Sequence, residues 1–190
     1  MTELNQLAEN ARELGAGAAA VVKTADLKFS EEFRTLCQQN ACGKYGTNWM
    51  CPPAVGTFEA SKAKVLRFAE GVVFQTVYRL EDSFDYDGMV RAGEIHERLF
   101  RRLLEHIQRD VAYAELLPLN AGECKACRHC TYPDGKPCRS PDKAVASIEA
   151  HGIDVNALVT HCGIPYNHGP DTVALVGLFL FQGVRYICAE

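Results

Sequence analysis

Two periodicities alternate along this chain: apolar runs of strand length, and stretches in which apolar residues recur every three or four positions. Residues 3 to 14 carry Leu4, Leu7, Ala8, Ala11 and Leu14 on one helical stripe, with Thr2 as N-cap and Gly15 just past the end. Ala18 to Val22 is small and β-branched and predicts a short buried strand. Ser30 predicts the N-cap of a second helix: Glu31 and Glu32 suit the positive end of its dipole, and Phe33, Leu36 and Cys37 share a face. From Cys42 to Thr57, Gly43, Gly46, Pro52, Pro53 and Gly56 break any regular element, so this is a loop. A third helix is expected over residues 58 to 68, a strand from Gly71 to Leu80, and an acidic loop over 81 to 87. The longest helix spans about 88 to 112, where Ala92, Ile95, Leu99, Leu103, Ile107 and Val111 repeat at three and four. Ala114 to Leu119 is a strand that leads into a cysteine-rich stretch. Ser140 with Pro141 at the first position predicts another helix, and a short one follows at 154 to 162. Thr172 to Phe181 is apolar enough for a strand buried on both faces.

Strands alternating with helices predict an α/β fold, a mixed or parallel sheet flanked by helices with cysteine-rich loops. The 190 residues, 47% of them hydrophobic, suffice for a core without help from metal. We expect a single domain over 1–190, with metal-binding loops at 37–57 and 124–140. A net charge of −4 and a pI near 5.9 give no electrostatic case for nucleic acid or an anionic membrane as partner. The N-terminus lacks the basic and apolar regions of a secretory signal. The longest apolar run, Val173 to Phe181, is far short of the roughly 20 residues that span a bilayer. A cytoplasmic protein is expected. Nine cysteines in a reducing compartment are better explained by metal than by disulfides.

The cysteines fall into two groups. Cys124, Cys127 and Cys130 are each separated by two residues, the rhythm of a ferredoxin-type [4Fe–4S] loop, and Cys138 follows after seven more. Cys37, Cys42 and Cys51 form the second group. Gly43 and Gly46 let its backbone turn tightly and bring N–H groups towards sulfur. Cys51 precedes Pro52 and Pro53, and a Cys-Pro pair ends bacterial ferredoxin runs. Tyr45 and Trp49 would shield a cluster from water. The plainer reading is three ordinary buried cysteines; two of them lie in a Gly/Pro-rich loop rather than on a core face. Three thiols leave a fourth position to Cys162 or to nothing, and an open iron is what separates catalyst from carrier, as an open position marks catalytic zinc.

Charge adds to the first group. Between Cys124 and Lys143, Lys125, Arg128, Lys136, Arg139 and Lys143 face only Asp134 and Asp142, five cations against two anions, or +3. A solvated basic loop is the bland explanation; between thiolate ligands, the excess offsets an anionic cluster. A helix beginning at Pro141 would add its positive end near Cys138. Zinc is the rival metal, but zinc sites built from four cysteines pair two hooks, whereas three cysteines at two-residue intervals suit a cube with several metal corners. His129 reads as an exposed loop residue, and His161 with Cys162 as packing at a helix end. Cys188 has no partner spacing. His96 and His106 stand on different faces of the long helix. No phosphate loop, dinucleotide fingerprint or nucleophile elbow is present.

With both groups in view, the chain resembles an uncharacterised prokaryotic family of predicted metal-binding proteins, a domain of unknown function. The resemblance rests on Cys42-Gly-Lys-Tyr-Gly-Thr-Asn-Trp-Met-Cys51-Pro-Pro, on the Cys124, Cys127, Cys130 triplet with Gly135-Lys-Pro-Cys138-Arg-Ser-Pro, and on Ser147-Ile-Glu-Ala-His-Gly-Ile-Asp-Val. It implies metal binding through these cysteines and no settled reaction. Cys162 is additional to the pattern. The expectation is one or two [4Fe–4S] clusters, on Cys124, Cys127, Cys130 and Cys138 and on Cys37, Cys42 and Cys51, in electron transfer to a partner enzyme. The alternatives are an enzyme that binds substrate or sulfur at an open iron, and a structural zinc module. Cys51 completing the Cys124 loop would leave one full cluster.

Overall fold

The computed structural model describes residues 2–186. Five helices are present among them: α1 (Glu3–Glu13), α2 (Glu32–Gln38), α3 (Phe58–Val65), α4 (Tyr86–Asp110) and α5 (Val155–His161). The strands are β1 (Ala18–Lys23), β2 (Glu70–Arg79), β3 (Val111–Ala112), β4 (Glu115–Asn120), β5 (Ala146–Ser147), β6 (Thr172–Gln182) and β7 (Arg185–Tyr186). The main sheet runs β1-β2-β6-β4-β5, and β3 pairs with β7 in a separate two-residue ladder. Three of its four pairings are antiparallel and only β4–β5 is parallel, so the sheet is mixed. No helix among the described residues is long and apolar enough to cross a membrane.

The apolar run of β6 has the role its composition predicts. It sits between β2 and β4, and its alternate side chains feed two cores. Phe179 and Phe181 join Val72 and Phe74 of β2 beneath α1 and α4. Val176, Leu178 and Leu180 join Val73 and the apolar faces of α3 and α5 on the other side. The stripe of α1 is buried as predicted, and Thr2 Oγ1 accepts from Asn5 N at its start. Aromatic rings dominate the first core: Phe100 stacks on Phe179 at 4.9 Å, and Phe179 on Phe74 at 6.0 Å. Phe74 faces Gly177 across the β2–β6 ladder, where a Cβ would stand 2.2 Å from the ring.

A polar chain crosses this core. His96 on α4, 1% exposed, lies between Thr76 Oγ1 (2.7 Å from Nδ1) and Asn120 Oδ1 (2.8 Å from Nε2). Asn120 Nδ2 donates to Glu97 Oε2, whose carboxylate also accepts from Arg101 Nε, and Arg101 Nη1 donates to Lys143 O. The Asn120 amide therefore uses its oxygen to accept from His96 Nε2–H, and His96 Nδ1 accepts from the Thr76 hydroxyl. This chain fixes the end of β4, the point from which the first cysteine loop departs.

Two expectations are corrected. Ser140 and Pro141 open no α-helix: Pro141–Lys143 is a single 3₁₀ turn without a side-chain cap, because the chain must straighten to reach β5 three residues later. No helix dipole therefore points at Cys138. In α2 the buried residue is Arg34, while Leu36 is 55% exposed. Arg34 Nη1 donates to Ala150 O at 2.6 Å and Nη2 to Gly56 O, so the helix docks through a guanidinium against carbonyls rather than through an apolar face.

Candidate metal centre

After β4 the chain enters the Cys124–Cys138 loop without regular structure. Cys124, Cys127 and Cys130 all line one cavity of about 420 Å³, together with Glu123, Lys125, Arg128, His129 and, from the other loop, Lys44, Thr47 and Asn48. The seven residues that separate Cys130 from Cys138 fold back on themselves. Thr131 Oγ1 donates to Pro137 O at 2.8 Å, Lys136 N to Thr131 O at 3.2 Å, and Gly135 N to Tyr132 O at 2.9 Å. Arg139 Nη2 donates to His129 O across the neck of this turn, and Cys127 Sγ–H donates weakly to Ser140 Oγ at 3.9 Å. Cys138 is thus carried back beside the triplet by its neighbours, although it does not line the same cavity.

The second loop hangs from α2. Asn40, at φ 54°, accepts from Tyr45 N through its side-chain oxygen at 2.9 Å; Gly43 and Gly46 take φ values of 69° and 67°, where glycine is favoured. Gly46 N donates to Pro52 O at 2.8 Å, which closes the loop over Cys51. Asn48 is buried, and its side-chain oxygen accepts from Met50 N. Cys51 is buried, Cys37 half-buried and Cys42 exposed. Burial pushes the Cys37 and Cys51 thiols up; Arg34 opposes it at Cys37 and the Asn48 side chain at Cys51. Cys162 lies elsewhere, as the C-cap of α5, packed on the second core with Asp26 acting on its thiol.

The two loops are braced together at three points. Lys44 Nζ meets Glu123 at 3.0 Å, Trp49 Nε1 donates to Lys136 O at 3.1 Å, and the Trp49 ring meets the Tyr132 ring edge-on at 4.9 Å. Hydrogen bonding to Glu123 holds the Lys44 ammonium above its usual range. Burial works against the Glu123 carboxylate, but Lys44, a backbone N–H and Lys125 together outweigh it and hold the acid below its usual range. Of the two aromatic shields expected from the sequence, Tyr45 and Trp49, it is Trp49 that lies between the loops. Lys44, Asn48 and Glu123 are additions. Their adjacency to cysteines is visible in the sequence, but a pairing between distant loops has no sequence signal.

The remaining candidates fall as follows. His129 is exposed, and His161 Nε2 stands 3.5 Å from Asp26. His106 bonds Asn10 and Asp110, far along α4 from the buried His96, so the two share no site. Cys188 lies outside the described residues. The eight described cysteines are all free thiols. Among the described residues no three His, Cys, Asp or Glu side chains are gathered tightly enough to grip a single metal ion as they stand. Neutral thiols do not attract one another; deprotonation and ligation supply the convergence, which couples metal uptake to local folding. A donor set made of thiols suits soft and borderline metals rather than magnesium or calcium.

No curated protein and no solved structure matches the chain. A family model described as "Predicted metal-binding protein (DUF2284)" matches residues 20–181, a span that holds both cysteine loops and the sheet that carries them. The chain belongs to this family of predicted metal-binding proteins, a domain of unknown function.

Proposed function

We propose that the protein holds two [4Fe–4S] clusters and passes electrons to a partner enzyme in the cytoplasm. The observation that supports this best is the cavity lined by Cys124, Cys127 and Cys130 at two-residue spacing, with Cys138 folded back beside it. A hollow of about 420 Å³ with thiols spread around it suits a multi-metal cube better than one tetrahedral ion. Cys37, Cys42 and Cys51 would hold the second cluster. When bound, such clusters supply one-electron redox chemistry at potentials set by local charge, hydrogen bonds and exposure.

The chain contributes the setting. Lys125, Arg128, Lys136 and Arg139 are all exposed around the first loop and offset its thiolate charge. They also give an acidic redox partner a docking surface whose attraction weakens with salt. Lys44 and Glu123 neutralise each other and leave the loop's cationic excess unspent. Trp49 separates part of the loops from water. A second reading is favoured by one observation: Cys162, the fourth thiol the sequence offered to the Cys37 group, lies elsewhere as the C-cap of α5. An iron left open there would bind substrate or sulfur and make the protein an enzyme.

Anaerobic purification followed by iron, sulfide and zinc counts, with EPR before and after dithionite, tests these readings. About eight irons per chain, four for each cube, and reducible signals are expected. About four irons, with the count halved no further by Cys37→Ser, would reduce the proposal to one cluster. A colourless protein with about one zinc would overturn it. A small ligand that perturbs the EPR signal would move the reading from carrier to enzyme.

A further inference from the structure

The two cysteine loops are joined where their thiols are. Lys44, two residues after Cys42, meets Glu123, the residue before Cys124, at 3.0 Å. Trp49, two residues before Cys51, donates through Nε1 to the carbonyl of Lys136, two residues before Cys138. Its ring meets that of Tyr132, two residues after Cys130. Each brace therefore ends within two residues of a thiol on both sides, and two residues of chain reach at most about 7 Å. The cavity of the Cys124 group is shared in the same way. Besides Cys124, Cys127 and Cys130 it is lined by Lys44, Thr47 and Asn48, all of which lie between Cys42 and Cys51 in the chain. A metal centre in that cavity is walled by the segment that carries two ligands of the other group.

Among the described residues no three donors are gathered tightly enough to grip one ion, so ligation has to draw thiols together and order the loops. From Cys42 to Cys51 and from Cys124 to Cys138 there is no helix or strand to hold the backbone. Fixing such backbone costs conformational entropy. With the loops tied together, the first metal bears part of that cost for both, and the second meets a loop already set. That is cooperativity without any contact between the metals. The Lys44–Glu123 pair is partly exposed and alone couples weakly; Trp49 adds a hydrogen bond and an edge-on ring contact.

We propose that the two cysteine groups load as one unit: metal at either raises the affinity of the other by about five- to tenfold, through Lys44–Glu123 and Trp49. This rests on the reading that both groups bind metal, and holds alike for iron in a cluster and for zinc.

Cobalt(II) is the probe, because borderline metals suit these thiols and thiolate–cobalt absorption reports ligation. The full chain, reduced and metal-free under anaerobic conditions, is titrated with cobalt against a chelator of known cobalt affinity. Three proteins define the coupling: wild type, Cys127→Ser/Cys130→Ser to leave the Cys37 group alone, and Cys42→Ser/Cys51→Ser to leave the Cys124 group alone. The coupling factor is the product of the two wild-type association constants divided by the product of the two single-group constants. About two cobalt ions per wild-type chain and a factor of about five to ten are expected. The same three titrations with Lys44→Met and Trp49→Leu added should bring the factor to about one, whatever these changes do to either group alone. Lys44→Arg, with Trp49 kept, should preserve it. About two cobalt ions with a wild-type factor near one would overturn the coupling and leave the two-centre reading intact. About one cobalt ion per chain would overturn both. A factor that survives the loss of Lys44 and Trp49 would also overturn the proposal. Should Trp49→Leu fail to fold, Lys44→Met and Lys44→Arg decide: a lowered factor in the first alone is expected, and no difference between them overturns the proposal.

Discussion

Gly177 and Phe74 are neighbours across the β2–β6 ladder, and a methyl group at Gly177 would stand 2.2 Å from the ring. Gly177→Ala is expected to lower unfolding free energy by about 2–3 kcal/mol in urea titration, as over-packing does. Combined with Phe74→Leu, the loss should be smaller than the sum of the two, because the second change removes the clash. A pH effect belongs to the same scale. Burial holds both His96 and His151 at about 4, against an ordinary value of 6.5. The unfolded chain therefore binds protons that the folded chain refuses between those values. The stability these two histidines contribute is full above pH 6.5 and falls as pH drops from there towards 4, by several kcal/mol for the pair. Urea titrations at about pH 7.5, 6 and 5 check the slope, and His151→Phe should remove the His151 share. At this scale the sequence was informative only where spacing carries meaning. The two-residue rhythm of Cys124, Cys127 and Cys130 foretells a shared cavity. Nothing around His151 foretells that its Nε2 would be buried without a partner among the described residues, since that depends on β4 and α3 arriving from elsewhere.

Among the elements, α1 and α4 were legible because each presents one apolar stripe to one core, and burial on a single face leaves a period of three and four. The docking face of α2 was not, because the helix docks through Arg34, and a cation at a buried position does not register as part of an apolar face. Arg34→Met should lose two charge-assisted hydrogen bonds, to Ala150 O and Gly56 O, at a cost of about 2–4 kcal/mol. A lower melting temperature would show it. Because α2 carries Cys37, iron per chain should fall in the same variant, provided the proposed second cluster is present. The 3₁₀ turn at Pro141 escapes the sequence for another reason. Ser-Pro is a start signal with no information about length, and the demand that stops the helix comes from β4, to which β5 must pair at Ala146.

For the molecule as a whole, an α/β fold with a mixed or parallel sheet followed from the alternation of elements, the pairings themselves make it mixed, and β6 was recognisable as a strand covered on both sides. Strand order was not legible. Hydrophobic period identifies a strand and the number of its buried faces, but not its neighbours, and here the pair β2 and β4 is joined by a strand that comes much later in the chain. The bracing of the two cysteine loops through Lys44–Glu123 and through Trp49 was hidden for the same reason. The late position of β6 also bears on biosynthesis. A ribosome releases every cysteine of both loops before it makes the strand that seats them, and until then neither core can close. Nascent chains would expose unshielded thiols on an unfinished sheet, prone to oxidation and to capture of the wrong ion. Loading of the proposed clusters would therefore belong after translation, on a polypeptide whose central strand is already in place.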